Sequence, residues 1–536
     1  MTTLVQKARQ HFKRYVKKWN AESSARRFMN YCREKWPQDR APQGDMVVLL
    51  GLFPHKIATY CNLHMANDLA RRTGGRVEAF KLTPGRQLVE DIYAASGAPV
   101  GLDASYAEDT LPELAKQADA LFAALRTKWD LLALRYDGLK IGDAIYDSYL
   151  RYHAEPTVVL DDPRLREIIY QALIVYVAAT NYLKVRKVVG FIADDFSYHE
   201  CGVITRVMMR AGVPSYIVCY GPEHFLYPLT MEPETGNADY PIRWPFHHYR
   251  TIFRSMPEEE QVRCREKGRQ HLEKKLSGHL DRFTLVNITA FGETKEKVFV
   301  DSGKPRIVIL MHDFFDSPHG YRSMLFPDFH EWATFLFTEA SKTDFEWYMK
   351  PHPGCYDFAN GRLNADNYEP FNVLQKRFPK IKLLHPTVSN RQIVAEGISA
   401  MFTMYGTAGH EFARMGVPVV NAGDNPHIAY DFNYHPSSVA EYADFIARAD
   451  RLTCTANHDD IAEYVYMNYY YFRDHGSTGA NPLPPEFYAD PGYEAACAGP
   501  LGYDKLIFPH DPAREAEMKK YYDQYFRDHP QNQARA

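Results

Sequence analysis

A chain of 536 residues is too long to fold around one hydrophobic core, so we expect two or more domains. The apolar fraction of 45% and the charged fraction of 24% are typical of a soluble globular protein and exclude a disordered or membrane-embedded chain. The net charge of −4 gives no reason to expect a nucleic-acid partner.

The eight cysteines are scattered and contain no Cys-x-x-Cys pair. This usage argues against a disulfide framework or a zinc ribbon and fits a reducing compartment. The sequence contains no long uninterrupted apolar run and no apolar signal segment near residue 1. These features predict a cytoplasmic protein.

Residues 1–40 form a basic segment in which apolar residues recur at helical spacing and lysines and arginines fill the positions between them. A basic amphipathic helix with Phe12 and Trp19 on its apolar face can lie on an anionic membrane surface. The same pattern fits a helix that docks on its own domain and leaves a solvated basic face. Residues 1–20 therefore predict either a peripheral contact with the inner membrane or an ordinary docked helix.

Apolar runs and helical patterns alternate through residues 41–295, the predicted first domain. The predicted strands are 46–52, 76–82, 131–135, 188–193 and 215–219, and helices are expected between most of them. This alternation predicts a mostly parallel, doubly wound sheet. Residues 229–250 are expected to form a long ordered loop and residues 257–280 a charged helix.

A second set of strands follows in residues 296–440, at 306–311, 345–350, 381–384, 400–404 and 417–421. Helical patterns separate them, so we expect a second doubly wound sheet that faces the first across a cleft. Residues 441–536 are predicted to form a helical C-terminal region that packs across both domains. The fold class is thus α/β with two facing doubly wound domains.

Polar residues follow the predicted strand 188–193, in the run Asp194, Asp195, Phe196, Ser197, Tyr198, His199. Ligands of doubly wound sheets gather at the carboxyl ends of the strands. We therefore expect acid–base residues in this run, with Asp195 first and His199 second. A carboxylate such as Asp194 can equally accept backbone N–H bonds at the start of the following helix.

Three strand ends of the second sheet also carry polar clusters. The clusters are the run from His312 to Ser317 with Asp313 and Asp316; Lys350, His352 and Pro353; and Tyr405, Gly406, Thr407, Gly409 and Glu411. Because parallel strands end at one edge of the sheet, the clusters are expected to meet there. A lysine, a histidine, a hydroxyl and a helix start are together suited to a phosphate group. Each residue alone also fits a capping, packing or solvated role.

The turn before the last of these strands is predicted to be the centre of the anion site. Gly406 and Gly409 allow a close approach of the backbone to a ligand, and Thr407 adds a hydroxyl donor. Glu411 lies one helical turn later, where a carboxylate can accept hydrogen bonds from a sugar diol. The alternative is an ordinary strand–helix turn whose glycines serve tight packing.

The stretch GTAGHEFARMGVPVV, from Gly406 to Val420, resembles the nucleotide-sugar signature of GT-B glycosyltransferases. That resemblance implies that Gly406, Thr407 and Gly409 hold phosphate and that Glu411 binds ribose. The run KPHP, 350–353, is similar to the His-Pro motif of bacterial sialyltransferases and β-Kdo transferases, which implies a CMP-activated acidic sugar as donor. The runs IGDAIYDSYLR (141–151) and FPDFHEW (326–332) resemble capsule and surface-carbohydrate biosynthesis proteins.

An inverting sugar transfer needs a base on the acceptor hydroxyl and a clamp on the leaving phosphate on the opposite side. The second domain is expected to supply the clamp, from Lys350, His352 and neighbouring donors, and the first domain the base. Asp313 and Asp316 are a rival source of the base. The adjacent Asp194 and Asp195 lack the Asp-x-Asp arrangement of metal-dependent sugar transferases, so we expect no metal and no cofactor besides the donor.

The function predicted from these patterns is transfer of a sugar from a nucleotide-sugar donor to a glycan or lipid-linked glycan acceptor of the bacterial surface. Three alternatives stay open. One is a polyol-phosphate transferase resembling CDP-glycerol glycerophosphotransferases, and another is a sugar-nucleotide epimerase, which shares the two-domain architecture. The third is a regulatory or assembly protein that binds nucleotide or glycan without turnover.

Overall fold

The architecture described below is that of a computed structural model. The described residues are 2–36, 46–52, 55–82, 87–193, 195–219, 225–228, 230–232, 237–242, 245–278, 297–321, 324–357, 361–471, 474–475, 482–484, 487, 497, 499 and 501–528. Side chains are described from residue 18 onward, apart from that of residue 19 and those of residues 219–244. Asp194, the first of the predicted acid–base residues, lies outside the described residues.

The first part of the chain alternates between helices and strands as its apolar runs predict. In chain order the elements are α1 (Thr2–Lys35), β1 (Met46–Gly51), α2 (Lys56–Thr73), β2 (Arg76–Lys81), α3 (Gln87–Ala95), β3 (Val100–Asp103), α4 (Leu111–Ala124), α5 (Lys128–Leu132), β4 (Arg135–Tyr136), β5 (Leu139–Lys140), α6 (Gly142–His153), α7 (Pro163–Val185), β6 (Lys187–Ala193), α8 (His199–Arg210), β7 (Ser215–Cys219), β8 (Phe225–Pro228), β9 (Thr230–Glu232), β10 (Asn237–Ile242), α9 (Tyr249–Arg254) and α10 (Glu258–Leu276).

Six of these strands form one sheet in the order β3-β2-β1-β6-β7-β8, in which only β8 is antiparallel to its neighbour. Successive residues of β1 enter two different cores, with Val47 and Leu49 on one face and Val48 and Leu50 on the other. A strand that buries both faces must be apolar throughout, which explains why β1 and β6 read as continuous apolar runs rather than as alternating patterns.

The second part of the chain repeats this plan. Its elements are β11 (Arg306–Leu310), α11 (Phe329–Ala340), β12 (Glu346–Lys350), β13 (Tyr356–Asp357), β14 (Arg362–Leu363), α12 (Ala365–Arg377), β15 (Ile381–Leu383), α13 (Asn390–Ala395), β16 (Ala400–Thr403), α14 (Ala408–Arg414), β17 (Val419–Asn421), α15 (Val439–Ala447), α16 (His458–Tyr466) and α17 (Pro512–Asp528). Five strands form a parallel sheet in the order β15-β12-β11-β16-β17.

The two sheets share one topology. In each, the first strand lies in the centre, the next two follow on one side, and the chain then crosses to the other side, to β6 in the first sheet and to β16 in the second. In doubly wound sheets a ligand binds where the strand order reverses, at the carboxyl ends of the two central strands. The topology thus points to the ends of β1 and β6 and of β11 and β16.

The last helices pack on different sheets. α16 lies along α10 in the core beside the second sheet, which contains Tyr464 and Val465. α17 instead returns to the first sheet, where Tyr521, Tyr522 and Phe526 share a core with Phe28 of α1. The predicted boundaries at residues 40, 295 and 440 stay predictions.

α7 is the described helix that is long and apolar enough to cross a membrane by length and composition. Ten of its side chains are buried, and they belong to the core beside the first sheet. Its apolar character is therefore explained by packing within the protein.

Two sequence predictions of local structure are wrong. Residues 131–134 are not a strand, because Thr127 and Asp130 form a reciprocal capping box that starts α5, and Leu131 and Leu132 follow on that helix. Arg135 alone of the predicted strand lies in one, the two-residue β4. Residues 229–250 are not one long loop, since they include β9, β10 and the start of α9. Both errors concern short elements whose hydrogen bonds decide the structure more than their apolar pattern does.

Candidate functional site

His312, the second residue after β11, joins two of the three predicted strand-end clusters. Its Nε2 atom lies 3.3 Å from the hydroxyl oxygen of Thr403 and accepts a hydrogen bond from the backbone N–H of Tyr405 at 3.4 Å. The ring stacks on Phe329 with centroids 4.6 Å apart. Burial, followed by the electrostatic effect of the nearby His352, lowers the pKa of His312 to about 3, so the imidazole is neutral and holds the turn after β16 in place.

Asp313 of the first predicted cluster lies near His352 of the second, close enough to affect its pKa. One carboxylate oxygen of Asp313 accepts from the backbone N–H of Phe315 at 3.0 Å, and the other accepts from the Asn367 amide at 2.9 Å. The Nδ1 atom of His352 accepts from the backbone N–H of Gly354 at 3.1 Å. That bond leaves the proton of the neutral ring on Nε2, which can donate to a ligand.

Burial lowers the pKa of His352, and the nearby Asp313 and Asp316 only partly oppose it. The imidazole is therefore neutral near pH 7 and offers a hydrogen bond rather than a charge. Pro353 follows as the first residue of a short 3₁₀ turn, which fixes the backbone at the N–H that His352 binds.

Lys350 is the last residue of β12, and its side chain is buried on one face of the sheet instead of extending beyond the strand ends. It alternates with Met349 along the strand and so shares a face with Tyr348, which packs in the core beside α16. The buried ammonium donates to the Asn390 side chain at 2.7 Å. Burial lowers the pKa of Lys350 to about 8 although Glu411 opposes the shift.

Glu411 has a protein partner. Its Oε1 atom lies 2.7 Å from the ammonium nitrogen of Lys275, on α10, and both side chains are buried. This contact spans more than a hundred residues of sequence, which is why sequence patterns did not reveal Lys275. The expected contact of Glu411 with a ribose stays a prediction.

The glycines of the turn differ in their surroundings. A Cβ atom on Gly406 would lie 3.2 Å from the hydroxyl of the buried Thr403 and 3.6 Å from the His312 ring. A Cβ atom on Gly409 would lie only 2.7 Å from a carbon of the buried His427 ring and 2.9 Å from the Asn433 amide nitrogen. Packing thus accounts for Gly409 and constrains Gly406 less tightly, whereas the exposed Thr407, which makes no capping bond, stays available to a ligand.

On the first sheet, Asp195 and His199 have different roles in the structure. Asp195 accepts from the backbone N–H of Ser197 at 2.6 Å with one oxygen. The buried His199 contacts Ser148 of α6 through both its backbone N–H, at 2.8 Å, and its Nδ1 atom, at 2.9 Å. Because the Ser148 hydroxyl donates to the carbonyl of Ala144, it must accept from Nδ1, which leaves the Nε2 lone pair of His199 unprotonated.

Polar residues of the two sheets face each other across what we call the inter-sheet gap, bounded by Asp195 and Tyr198 on one side and by Asp316 and Ser317 on the other. The half-buried Tyr198 hydroxyl forms a side-chain hydrogen bond with Ser317. Desolvation by the surrounding protein and then the charge of Asp313 raise the pKa of Asp316, and Asp195 adds to the increase although Asp316 keeps contact with solvent. The predicted acid–base residues and the predicted phosphate cluster thus lie close enough to influence each other's charge.

The two runs that resemble surface-carbohydrate proteins contact each other beside the gap. Tyr146, in IGDAIYDSYLR, donates to the carboxylate of Asp328, in FPDFHEW, at 2.5 Å. Thr157 donates to the same carboxylate at 2.5 Å, and Lys128 pairs with Glu331. These contacts tie α6 to the start of α11.

α6 also contains polar residues that sequence reasoning missed. Asp143 forms a two-point ion pair with the buried Arg206 at 2.7 and 2.8 Å, and Asp147 lies 2.5 Å from His319. Burial favours a raised pKa for Asp143, but Arg206 outweighs it and lowers the pKa to about 2. The four-residue spacing of Asp143, Asp147 and Arg151 in an otherwise apolar helix is the signal that could have found them.

Two open surface depressions lie away from the strand ends. One, of about 540 Å³, is lined by residues of α10, α13 and the end of α14, and the other, of about 320 Å³, lies between α11 and α15. The inter-sheet gap is the better candidate because it holds the polar strand ends. Among the described residues, no group of three or more His, Cys, Asp or Glu side chains could hold a metal ion.

No protein-family model matches the chain, and no curated protein matches it. Among solved structures, the chain is similar to KpsC of Thermosulfurimonas dismutans, a beta Kdo 2,4 transferase, with 9% identity and a TM-score of 0.32 over 52% of this chain and 79% of that one. It is also similar to the UDP-GlcNAc 2-epimerase of Neisseria meningitidis bound to UDP-GlcNAc, with 10% identity and a TM-score of 0.22 over 79% of this chain and 98% of that one.

Proposed function

We propose that this chain is a glycosyltransferase of GT-B architecture that transfers a sugar from a nucleotide-activated donor to a surface or capsular polysaccharide. One observation carries the proposal: polar strand-end residues from two doubly wound sheets meet at one gap, with Asp195 and Tyr198 opposite Asp316 and Ser317. Sugar transfer needs a base on one side of the reacting carbon and a phosphate clamp on the other. The inter-sheet gap has groups suited to both tasks.

The second sheet is the proposed donor side. The Nε2–H of neutral His352 and the hydroxyl of Thr407 would donate to the leaving phosphate, and Gly406 would let it approach the backbone. These donors are neutral, so the proposed transfer relies on hydrogen bonds without a metal or another cofactor. We further propose a CMP-activated acidic sugar such as CMP-Kdo as the donor.

The first sheet is the proposed acceptor side, and Asp195 is the proposed base. Its carboxylate takes the proton of the acceptor hydroxyl, the freed oxygen bonds to the anomeric carbon, and the bond from that carbon to the phosphate oxygen breaks with its electrons leaving on the phosphate. Attack opposite the leaving group inverts the anomeric centre. His199, buried against Ser148, would position the start of α8 instead of touching the acceptor.

The first test measures the unfolding temperature of the full chain with CMP, UDP, GDP and CDP, because a ligand that binds the folded state raises it. We expect a selective increase with CMP that is lost in His352→Ala. An increase with UDP or GDP alone would contradict the acidic-sugar donor, and no response to any nucleotide would contradict the proposed function.

The second test follows the product from donor and acceptor by mass spectrometry. Asp195→Asn should lose the transfer activity that the wild-type enzyme shows, while its nucleotide binding is kept. Loss of transfer in Asp316→Asn, with Asp195→Asn still active, would indicate that the base lies on the second sheet. A phosphodiester in the product would indicate polyol-phosphate transfer, and turnover of donor without acceptor would indicate an epimerase.

We also propose that the enzyme works in the cytoplasm on a membrane-bound or lipid-linked glycan and contacts the inner membrane through residues 1–20. The later part of α1 packs on the first sheet through Phe28 and Cys32, so the basic part of the same helix is anchored to the body that would bind the acceptor. Co-sedimentation with anionic vesicles should be lost when residues 1–20 are deleted. Equal binding by both chains would contradict the membrane contact.

A further inference from the structure

Arg151 lies on the face of α6 that is turned toward the second sheet. Asp147 marks this face, because its carboxylate is 2.5 Å from His319 in the segment that follows β11. Arg151 comes four residues later, so its side chain emerges on the same face one turn closer to the end of the helix. The side chain is exposed, and among the described residues it has no hydrogen-bonded or ion-paired carboxylate.

The charges around the inter-sheet gap leave an anionic substrate without an obvious counter-charge. Asp195, Asp313 and Asp316 are all acidic, and His352 is neutral because burial lowers its pKa. A nucleotide sugar would therefore bring negative charge to an edge that is already negative. Like charges that share one site repel each other, and the neutral donors His352 and Thr407 add no positive charge against that repulsion.

The buried lysines near this edge are already engaged. Lys350 donates to Asn390 under the sheet, and Lys275 is paired with Glu411. Neither ammonium is exposed. A substrate in the gap would thus find these two cations covered by protein.

The charge of Arg151 does reach the gap. Desolvation raises the pKa of both Asp316 and Tyr198, and the guanidinium of Arg151 acts against that increase at each of the two groups. Because Asp316 and Tyr198 lie on opposite sides of the gap and both feel this charge, the guanidinium lies near both sides of the gap.

We propose that Arg151 binds an oxyanion of the substrate in the inter-sheet gap, from the side of the first sheet. This inference rests on the proposed function and deepens it, since the substrate would be held by His352 from one side and Arg151 from the other. A guanidinium presents a planar fork of N–H donors that fits the two oxygens of a phosphate or a carboxylate. The oxyanion belongs either to the nucleotide phosphate or to the carboxylate of an acidic sugar.

The experiment measures dissociation constants by calorimetry for the full chain and for Arg151→Met, Arg151→Lys and Arg448→Met. Arg448 is the control because its half-buried side chain follows α15 and pairs with Asp444 of that helix, beside the ring of Phe445. The probes are CMP and UDP for the phosphate and free Kdo for the carboxylate. Arg151→Met should weaken the relevant probe about tenfold or more, Arg151→Lys should weaken it less, and the control should bind as the wild type does.

The probes separate the two sources of the oxyanion and the two proposals. Weaker binding of a nucleotide by Arg151→Met assigns the phosphate, and weaker binding of Kdo alone assigns the carboxylate. If the wild type binds a probe and Arg151→Met binds every probe equally well, the role of Arg151 is overturned and the proposed function stands. No binding of any probe by the wild type overturns both.

Discussion

Gly409 shows how one residue can satisfy a ligand-binding motif and a packing requirement at the same time. The resemblance to nucleotide-sugar enzymes implies that this glycine holds phosphate, yet the structure gives it a reason of its own, the buried ring of His427 and the amide of Asn433. A residue can therefore match a motif because the fold needs it, and only substitution separates the two reasons.

Gly409→Ala should lower the free energy of unfolding by about 1–3 kcal/mol, because its methyl group would overlap two buried side chains. Urea unfolding measures the change. Gly320→Ala is the control, since a Cβ atom there meets nothing within 4 Å and the backbone is not left-handed. Equal stability of Gly409→Ala and the wild type would show that the site has room for a methyl group. Ligand binding would then be the remaining reason for a glycine at this position.

At this scale the sequence predicted residues that lie beside strand ends and missed those whose partners are far away along the chain. Asp313 and His352 were found because each follows an apolar run, and the structure brings them together at the edge of the second sheet. Lys275 was missed because its partner Glu411 lies in another element, and Ser148 was missed because its role depends on His199. A single sequence contains the type of each side chain but not the identity of its partner.

The contact between α10 and α14 is an element-scale feature with a measurable cost. Lys275→Met would leave Glu411 buried without its ion-pair partner, so we expect a loss of about 3–5 kcal/mol in the free energy of unfolding. Lys275→Met combined with Glu411→Leu should recover most of that loss, because both charges are then absent. Urea unfolding of the two variants tests this.

The control on the same helix is Lys267→Met. Lys267 pairs with the partly exposed Asp474, so loss of this ion pair should change the free energy of unfolding by less than about 1 kcal/mol. If the double variant is as unstable as Lys275→Met, Glu411 must stabilise the fold through contacts other than this pair.

The long elements follow from the sequence because their burial is continuous. The apolar strands β1, β6, β11 and β16 lie where the apolar runs predict, since each buries both faces. The sequence predicts a strand in place of the short α5 because four apolar residues in a row fit either structure, and the capping box of Thr127 and Asp130 decides between them.

At the scale of the whole molecule, α6 joins the two sheets through ionisable groups. His319, on the second-sheet side, and Asp147, on the first-sheet side, are both buried. Burial lowers the pKa of His319, but Asp147 and then Asp143 outweigh it, so the net pKa is raised. Burial raises the pKa of Asp147 by more than His319 lowers it. Arg206 faces Asp143 from α8 and keeps that carboxylate ionised.

The raised pKa of both groups fixes the direction of the pH dependence. The folded protein binds protons at both groups more tightly than the unfolded chain does. The contribution of His319 is therefore present below about pH 6.5 and is lost as pH rises through its folded pKa, and that of Asp147 is present below about pH 3.8 and is lost as pH rises through its own folded pKa. We expect the free energy of unfolding to fall with rising pH above about pH 6.5. Asp147→Asn combined with His319→Gln should flatten the decline, as urea unfolding across this range would measure.

His153→Gln is the control, since His153 also lies on α6 but burial lowers its pKa, so its removal should not flatten the decline. The same slope in the wild type and in the Asp147, His319 double variant would mean that the pair does not titrate between the folded and unfolded states.

The return of α17 to the first sheet has a consequence for how the protein is made. Tyr521, Tyr522 and Phe526 complete a core that contains Phe28, and Arg27 pairs with Asp504 across 477 positions of sequence. During synthesis, the part of this core that α17 covers stays exposed until residues 512–528 have left the ribosome, while the second sheet can already close. Contacts of such long sequence separation form slowly and expose apolar surface meanwhile. The nascent chain is therefore expected to expose apolar surface longest at the part that is synthesised first.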